Sequence, residues 1–208
     1  MKKIFLPLLA AVGIALGFTL TSCGGGGGSE KGNEPARALV GITMQETTLW
    51  PGFILEFREG AIGWVVPAVF YPGDGSDHGC FFNLDEKEPP ELENGVWKFK
   101  GKLGGVEGIR ILKDNNFLAL IGVNQSASSC VVDSFKLLFY IPSGATGRYS
   151  ASGQIWVKGR YFMTGQEAEG TLIRADDKDV SFMVDGKLNE KWLSDSTEEE
   201  EEDKPFDY

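Results

Sequence analysis

The run Gly95-Val96-Trp97-Lys98-Phe99-Lys100-Gly101-Lys102-Leu103 alternates: Trp97, Phe99 and Leu103 fall on one side, Lys98, Lys100 and Lys102 on the other. Successive side chains of an extended strand point to opposite faces, so this stretch reads as a strand with one dry and one wet face. The same period of two, or short apolar runs, recurs at residues 53–57, 63–71, 106–112, 117–123, 130–141, 154–157, 170–174 and 180–184. Between these runs stand breakers: Pro72-Gly73-Asp74-Gly75, Pro89-Pro90, residues 113–116, Pro142-Ser143-Gly144 and Asp176-Asp177-Lys178-Asp179. No segment holds helical spacing over three turns, which removes βαβ crossovers and predicts an all-β domain. The expected architecture is an antiparallel β-sandwich, with a closed β-barrel as the alternative, and residues 170–174 and 180–184 are expected to form a hairpin. The 28 glycines, several inside the predicted strands, fit bulges and tight turns.

The chain has 208 residues, 42% of them hydrophobic, enough to bury a core. Its 30 acids against 20 bases give a net charge of −10, the wrong footprint for a nucleic-acid partner. Much of that excess is terminal. Residues 194–208 carry eight acids and one lysine, a net −7, and read as a solvated, disordered acidic tail. The boundaries that follow are a removable leader at 1–22, a tether at 23–36, one all-β domain at 37–193 and the tail at 194–208.

The leader has signal-peptide order: Lys2 and Lys3, an apolar stretch from residue 4 to 20, then small polar residues before Cys23. The apolar stretch is short for a spanning helix and contains Pro7, Gly13 and Gly17. Leu20-Thr21-Ser22-Cys23 resembles the lipobox of bacterial lipoproteins. That resemblance implies a diacylglyceryl group on the Cys23 thiol, cleavage before Cys23, and a membrane anchor of acyl chains such as palmitate. Five glycines, Gly24 to Gly28, and a polar run to Pro35 follow as a flexible tether. A lipobox Cys with glycines and a polar run behind it resembles exported lipoproteins of the Bacteroidetes type, and Gly24 stands where enterobacterial lipoproteins kept at the inner membrane carry Asp. Together these imply a lipid anchor on the outer membrane, with the membrane face left open.

An exported domain meets an oxidising compartment, so the remaining cysteines, Cys80 and Cys130, are expected to pair as a disulfide, with two buried thiols as the other outcome. His78 is the chain's one histidine, in Asp74-Gly75-Ser76-Asp77-His78-Gly79-Cys80. Any Ser-His or Cys-His nucleophile must therefore use it, and a multi-histidine zinc site is impossible. Asp74 and Asp77 stand in a turn with a faint calcium-loop pattern, which makes them a candidate Ca2+ site although the closing Glu is missing. No carboxylate pair is marked for glycoside hydrolysis, because spacing along a chain does not report distance in a cleft. The aromatic and basic strip Trp156, Lys158, Arg160 and Tyr161 is the expected ligand-binding surface, on the ability of flat rings flanked by cations to hold sugars or partner side chains. The expected function is a non-catalytic binding or assembly module of the envelope, with glycan or an envelope protein as partner. A hydrolase of glycans or peptides and a structural surface subunit are the alternatives.

Overall fold

The alternation read from residues 95–103 recurs as alternating burial around a ring of strands. In the computed structural model, which describes residues 34–50, 52–113, 118, 128–163, 166–169, 173–174 and 180–193, twelve strands are defined. They are β1 (Thr43–Glu46), β2 (Ile54–Phe57), β3 (Val65–Tyr71), β4 (His78–Leu84), β5 (Glu91–Glu93), β6 (Val96–Gly104), β7 (Arg110–Leu112), β8 (Ser129–Pro142), β9 (Arg148–Met163), β10 (Gln166–Glu169), β11 (Ile173–Arg174) and β12 (Val180–Asp185). The pairings β12–β1–β2–β3–β4–β6–β8–β9 are all antiparallel, and β9 returns to β12. This closes an eight-stranded up-and-down barrel, each strand beside the next along the chain, with β5, β7, β10 and β11 outside the ring.

All-β is what the alternation required; the sandwich gives way to its alternative. β9 is long enough to pair with β8 along one edge and β12 along the other, so no open sheet edges remain to face each other as two layers. The expected hairpin of residues 170–174 with 180–184 is also replaced. Ile173 pairs with Val157 and Val180 with Gly153, so β10, β11 and β12 all run down the same edge of β9. The three differ in register against β9, so they do not form one uninterrupted ladder. The strand expected at 117–123 lies outside the described residues except for buried Leu118.

An eight-stranded barrel has an interior just wide enough for side chains to fill, and here aromatic rings fill it. Phe53 stacks on Phe135 with centroids 5.8 Å apart, and Phe99 stacks on Phe139 at 5.2 Å. Trp50, Phe70, Phe57, Phe82 and Phe182 complete the cluster. Room for these rings comes from glycines at inward positions. A Cβ on Gly101 would lie 2.6 Å from the Phe82 ring, and one on Gly153 would lie 2.6 Å from the Phe182 ring.

Both ends are covered. At one, a 3-10 turn at Pro35–Leu39 buries Pro35, Ala36, Ala38 and Leu39, so packing begins inside the stretch read from sequence as tether. A second 3-10 turn at Glu190–Trp192 lies against it, with the Asn189 N–H donating to Ala38 O at 3.0 Å and the Arg37 guanidinium 4.8 Å over the Trp192 ring. At the other end the β1–β2 loop turns inward and plugs the barrel with Trp50 and Phe53. Its hinge is Glu46, wholly buried, whose carboxylate accepts from the backbone N–H groups of Thr48 (2.7 Å), Leu49 and Trp50 and from the Thr48 hydroxyl. The Trp50 indole N–H donates to Pro72 O at 2.8 Å, tying the plug to the β3–β4 loop. Among the described residues no helix is long and apolar enough to cross a membrane.

Candidate functional site

Registered side by side, β6, β8 and β9 turn one set of alternate residues outward. Three rows run across the strands: Lys98–Tyr140–Ser152, Lys100–Leu138–Gln154 and Lys102–Lys136–Trp156. One step further along, Ser134 pairs with Lys158, and Val131 lies between Arg110 of β7 and Arg160 of β9. The barrel wall thus carries a basic outer face with Trp156 on its β9 side. Leu138, an outward residue within it, is only 7% exposed.

The charges on this face are partly answered. Glu88 bonds the Lys100 ammonium and lies 3.8 Å from that of Lys98; Glu107 lies 3.5 Å from Lys102. Asp133 is the extra residue where the β8 register shifts between Val132 and Ser134, and its carboxylate meets the Arg160 guanidinium at 3.3 Å. A bulge that presents a carboxylate is a common way for a strand to re-aim one side chain. Glu107 also closes the turn after β6. Its own backbone N–H first, then that of Gly105 (2.7 Å) and the Lys102 charge, hold its carboxyl below the usual range against the opposing cost of desolvation. Lys136 and Lys158 are exposed and meet no carboxylate among the described residues. Lys136 moreover stands directly across from Lys102, a like-charge pair that costs stability.

Three of the four strip residues read from sequence meet on this face. Trp156, Lys158 and Arg160 point outward; Tyr161, an odd number of positions from Trp156, points inward opposite Cys130 and packs against the core. It leaves the binding surface because strand parity, not proximity along the chain, decides the face. The residues missed were Lys136 and the lysines of β6 as its neighbours. Lys136 is the lone charge in the apolar run Phe135–Ile141, which signals an outward position, but its adjacency to Trp156 depends on cross-strand register.

Cys80 and Cys130 are free and buried, the second of the two outcomes and not the expected disulfide. Cys80 pairs with Ala68 of β3, and Cys130 lies between Ile111 of β7 and Tyr161 of β9, so the register does not set the two cysteines side by side. Burial pushes the Cys80 thiol up to about 12; burial and, secondarily, the Asp133 charge push Cys130 up to about 11. Neither is poised as a thiolate.

The Asp74–His78 segment forms a local turn. Asp74 accepts from the Ser76 N–H at 2.9 Å and the Ser76 hydroxyl at 2.5 Å, and these bonds lower its carboxyl from the ordinary value. A His78 ring nitrogen lies 3.0 Å from the same hydroxyl. The order is wrong for a nucleophile relay, because the carboxylate takes the serine proton instead of orienting the imidazole. Asp77 joins neither contact, and among the described residues no three His, Cys, Asp or Glu side chains gather to hold a metal ion. The turn explains Asp74 as an Asx cap. Cys23 and the acidic run 198–203 lie outside the described residues.

The fold and the outer face define a class: a filled eight-stranded up-and-down barrel that presents a lysine-rich wall bordered by a tryptophan. Compared with protein-family models, with curated proteins and with solved structures, the chain matches none.

Proposed function

We propose that this protein is a lipid-anchored, non-catalytic binding module of the bacterial outer membrane, and that it holds an anionic glycan on the outer face of β6, β8 and β9. The row Lys102–Lys136–Trp156, with Lys158 beside it, carries the reading. A sugar ring stacks on the half-buried Trp156 indole while its carboxylate or sulfate meets the ammonium groups of Lys136 and Lys158, which have no carboxylate partner among the described residues. The filled interior supports an exterior site, since the aromatic cluster occupies the space a ligand would take in a hollow barrel. The lipobox at Cys23 and the glycine run behind it support the anchor and the reach.

The test is a titration of the full chain in detergent with polygalacturonate, with dextran as the neutral control. Binding to polygalacturonate alone is expected, weakened about tenfold by Trp156→Ala and by Lys136→Glu, in line with about 1.4 kcal/mol per decade. Equal binding to both polymers, or indifference to both substitutions, overturns the glycan assignment. Labelled palmitate supplied to cells is expected on the native chain and absent from Cys23→Ala; a label that survives the substitution overturns the anchor.

A further inference from the structure

The basic wall and the acidic tail belong to one chain, and the chain leaves the barrel beside that wall. The last described residues form the 3-10 turn Glu190–Trp192 and Leu193. The Glu190 carboxylate accepts from the Ser143 hydroxyl at 2.8 Å and the Gly144 N–H at 2.5 Å, in the β8–β9 turn. The Ser143 N–H in turn donates to Gly95 O at 2.9 Å, at the start of β6. Leu193, the last described residue, therefore stands near the foot of the β6–β8–β9 face. Up the face from Ser143, the rows of Lys98, Lys100 and Lys102–Lys136 stand at about 10, 17 and 24 Å, and Lys158 at about 31 Å, counting about 3.4 Å per strand residue. Fully extended, residues 198 and 202 reach about 17 and 31 Å from Leu193. The acids of Glu198 to Glu202 and Asp203 thus span the height of the unanswered lysines.

We infer that the acidic segment 198–203 docks intramolecularly on the basic outer face of β6, β8 and β9 and competes there with anionic ligands. As regulation of that face it rests on the proposed function, although the docking itself stands on charge, reach and point of exit. Two of the six cations, Lys136 and Lys158, meet no carboxylate among the described residues, and the others hold exposed partners that exchange readily. Tethering replaces weak individual attractions by a local concentration of about a millimolar or more. The tail behaves as a built-in counter-polymer, displaced by a longer or denser polyanion or by salt.

The experiment compares the full chain with a full chain in which Glu198 to Glu202 are all replaced by Gln. Zero-length carbodiimide coupling at low salt, on a mixture of isotopically light and heavy chains, is read by peptide mapping. Coupling of residues 198–203 to Lys136, Lys158 or Lys102 within single chains is expected, and its loss at 0.5 M salt. Polygalacturonate is expected to bind the Gln variant at least tenfold more tightly than the native chain. Coupling only to Lys187 and Lys191, or only between light and heavy chains, overturns the docking, as does equal affinity of the two forms. If the cross-links form and polygalacturonate binds neither form, the glycan reading fails and the docking stands; if it binds both equally without cross-links, the docking fails and the glycan reading stands.

Discussion

The two faces of β9 are built from alternate residues of one sequence and obey different rules. Inward, Ala151, Gly153, Ile155, Val157 and Gly159 fit their sizes to the rings and backbone they meet. Outward, Ser152, Gln154, Trp156, Lys158 and Arg160 fit nothing so closely, and their neighbours on β8 add a lysine facing another lysine. The inner face is under packing constraint, where a methylene more or less is felt. The outer face tolerates an electrostatic cost that packing does not explain. That asymmetry separates residues that hold the barrel from residues that use it, and substitutions on the two sides measure it.

Phe53→Ala is expected to do the most damage. Its ring meets Trp50, Phe70, Phe135 and Phe182 inside the plugged end, and truncation is expected to lower stability by about 3–5 kcal/mol in urea unfolding. Trp156→Ala, a larger deletion on the outside, is expected to stay within about 0.5 kcal/mol. Equal losses would break the distinction between the faces. Glu46→Ala follows at about 3 kcal/mol, because it strands the buried N–H of Trp50 and the part-buried N–H groups of Thr48 and Leu49. Glu46→Gln keeps an acceptor oxygen and is expected to lose less. Gly153→Ala, which adds one methyl between β8 and Phe182, is expected to cost about 1–3 kcal/mol by the same unfolding measurement.

The buried thiols test the interior by pH. Their folded values are raised to about 12 and 11, so their contribution is complete below the unfolded value near 9 and is lost as pH rises toward the folded values. At pH 10 each thiol is expected to have given up on the order of 1 kcal/mol relative to neutral pH. Cys80→Ala with Cys130→Ala is expected to flatten this alkaline loss, and a thiol reagent is expected to label neither cysteine until urea unfolds the chain. Rapid labelling of the native chain would place the thiols outside the packed interior.

What the sequence disclosed follows the same division. β6 was legible residue by residue, because its lysines and aromatics alternate without exception. β9 was legible only at residues 154–157, since Arg148-Tyr149-Ser150-Ala151-Ser152-Gly153 has few large apolar residues to reveal a period. The small residues are there because Phe182 and the β8 backbone occupy the space, a fact belonging to the partner strand. Barrel closure depends on that hidden half of β9, which pairs with β12, so alternation alone could not separate a barrel from a sandwich. Glu46 was invisible because its partners are backbone groups. Tyr161 was readable by parity and was grouped with Trp156 by nearness in the chain instead.

Lys136→Gln gives the smallest expected change in stability and bears most directly on the comparison. Lys136 lies directly opposite Lys102, and like charges paired across antiparallel strands cost roughly 0.2–1 kcal/mol. Removing one charge is therefore expected to raise stability by a few tenths of a kcal/mol at low salt, and the gain is expected to vanish at 0.5 M salt as screening shortens the interaction range. A surface kept only for solubility has no reason to hold that pair, because a neutral polar residue would serve β8 equally well. A face that holds polyanions does, since the repulsion between the two ammonium groups is relieved when a carboxylate settles between them. The stability gain and the loss of polygalacturonate binding should accordingly appear together in the same variant. A variant that gains no stability, or that gains it and binds as before, would show that Lys136 is an ordinary solvated residue and that the outer face, like the inner one, is explained by folding alone.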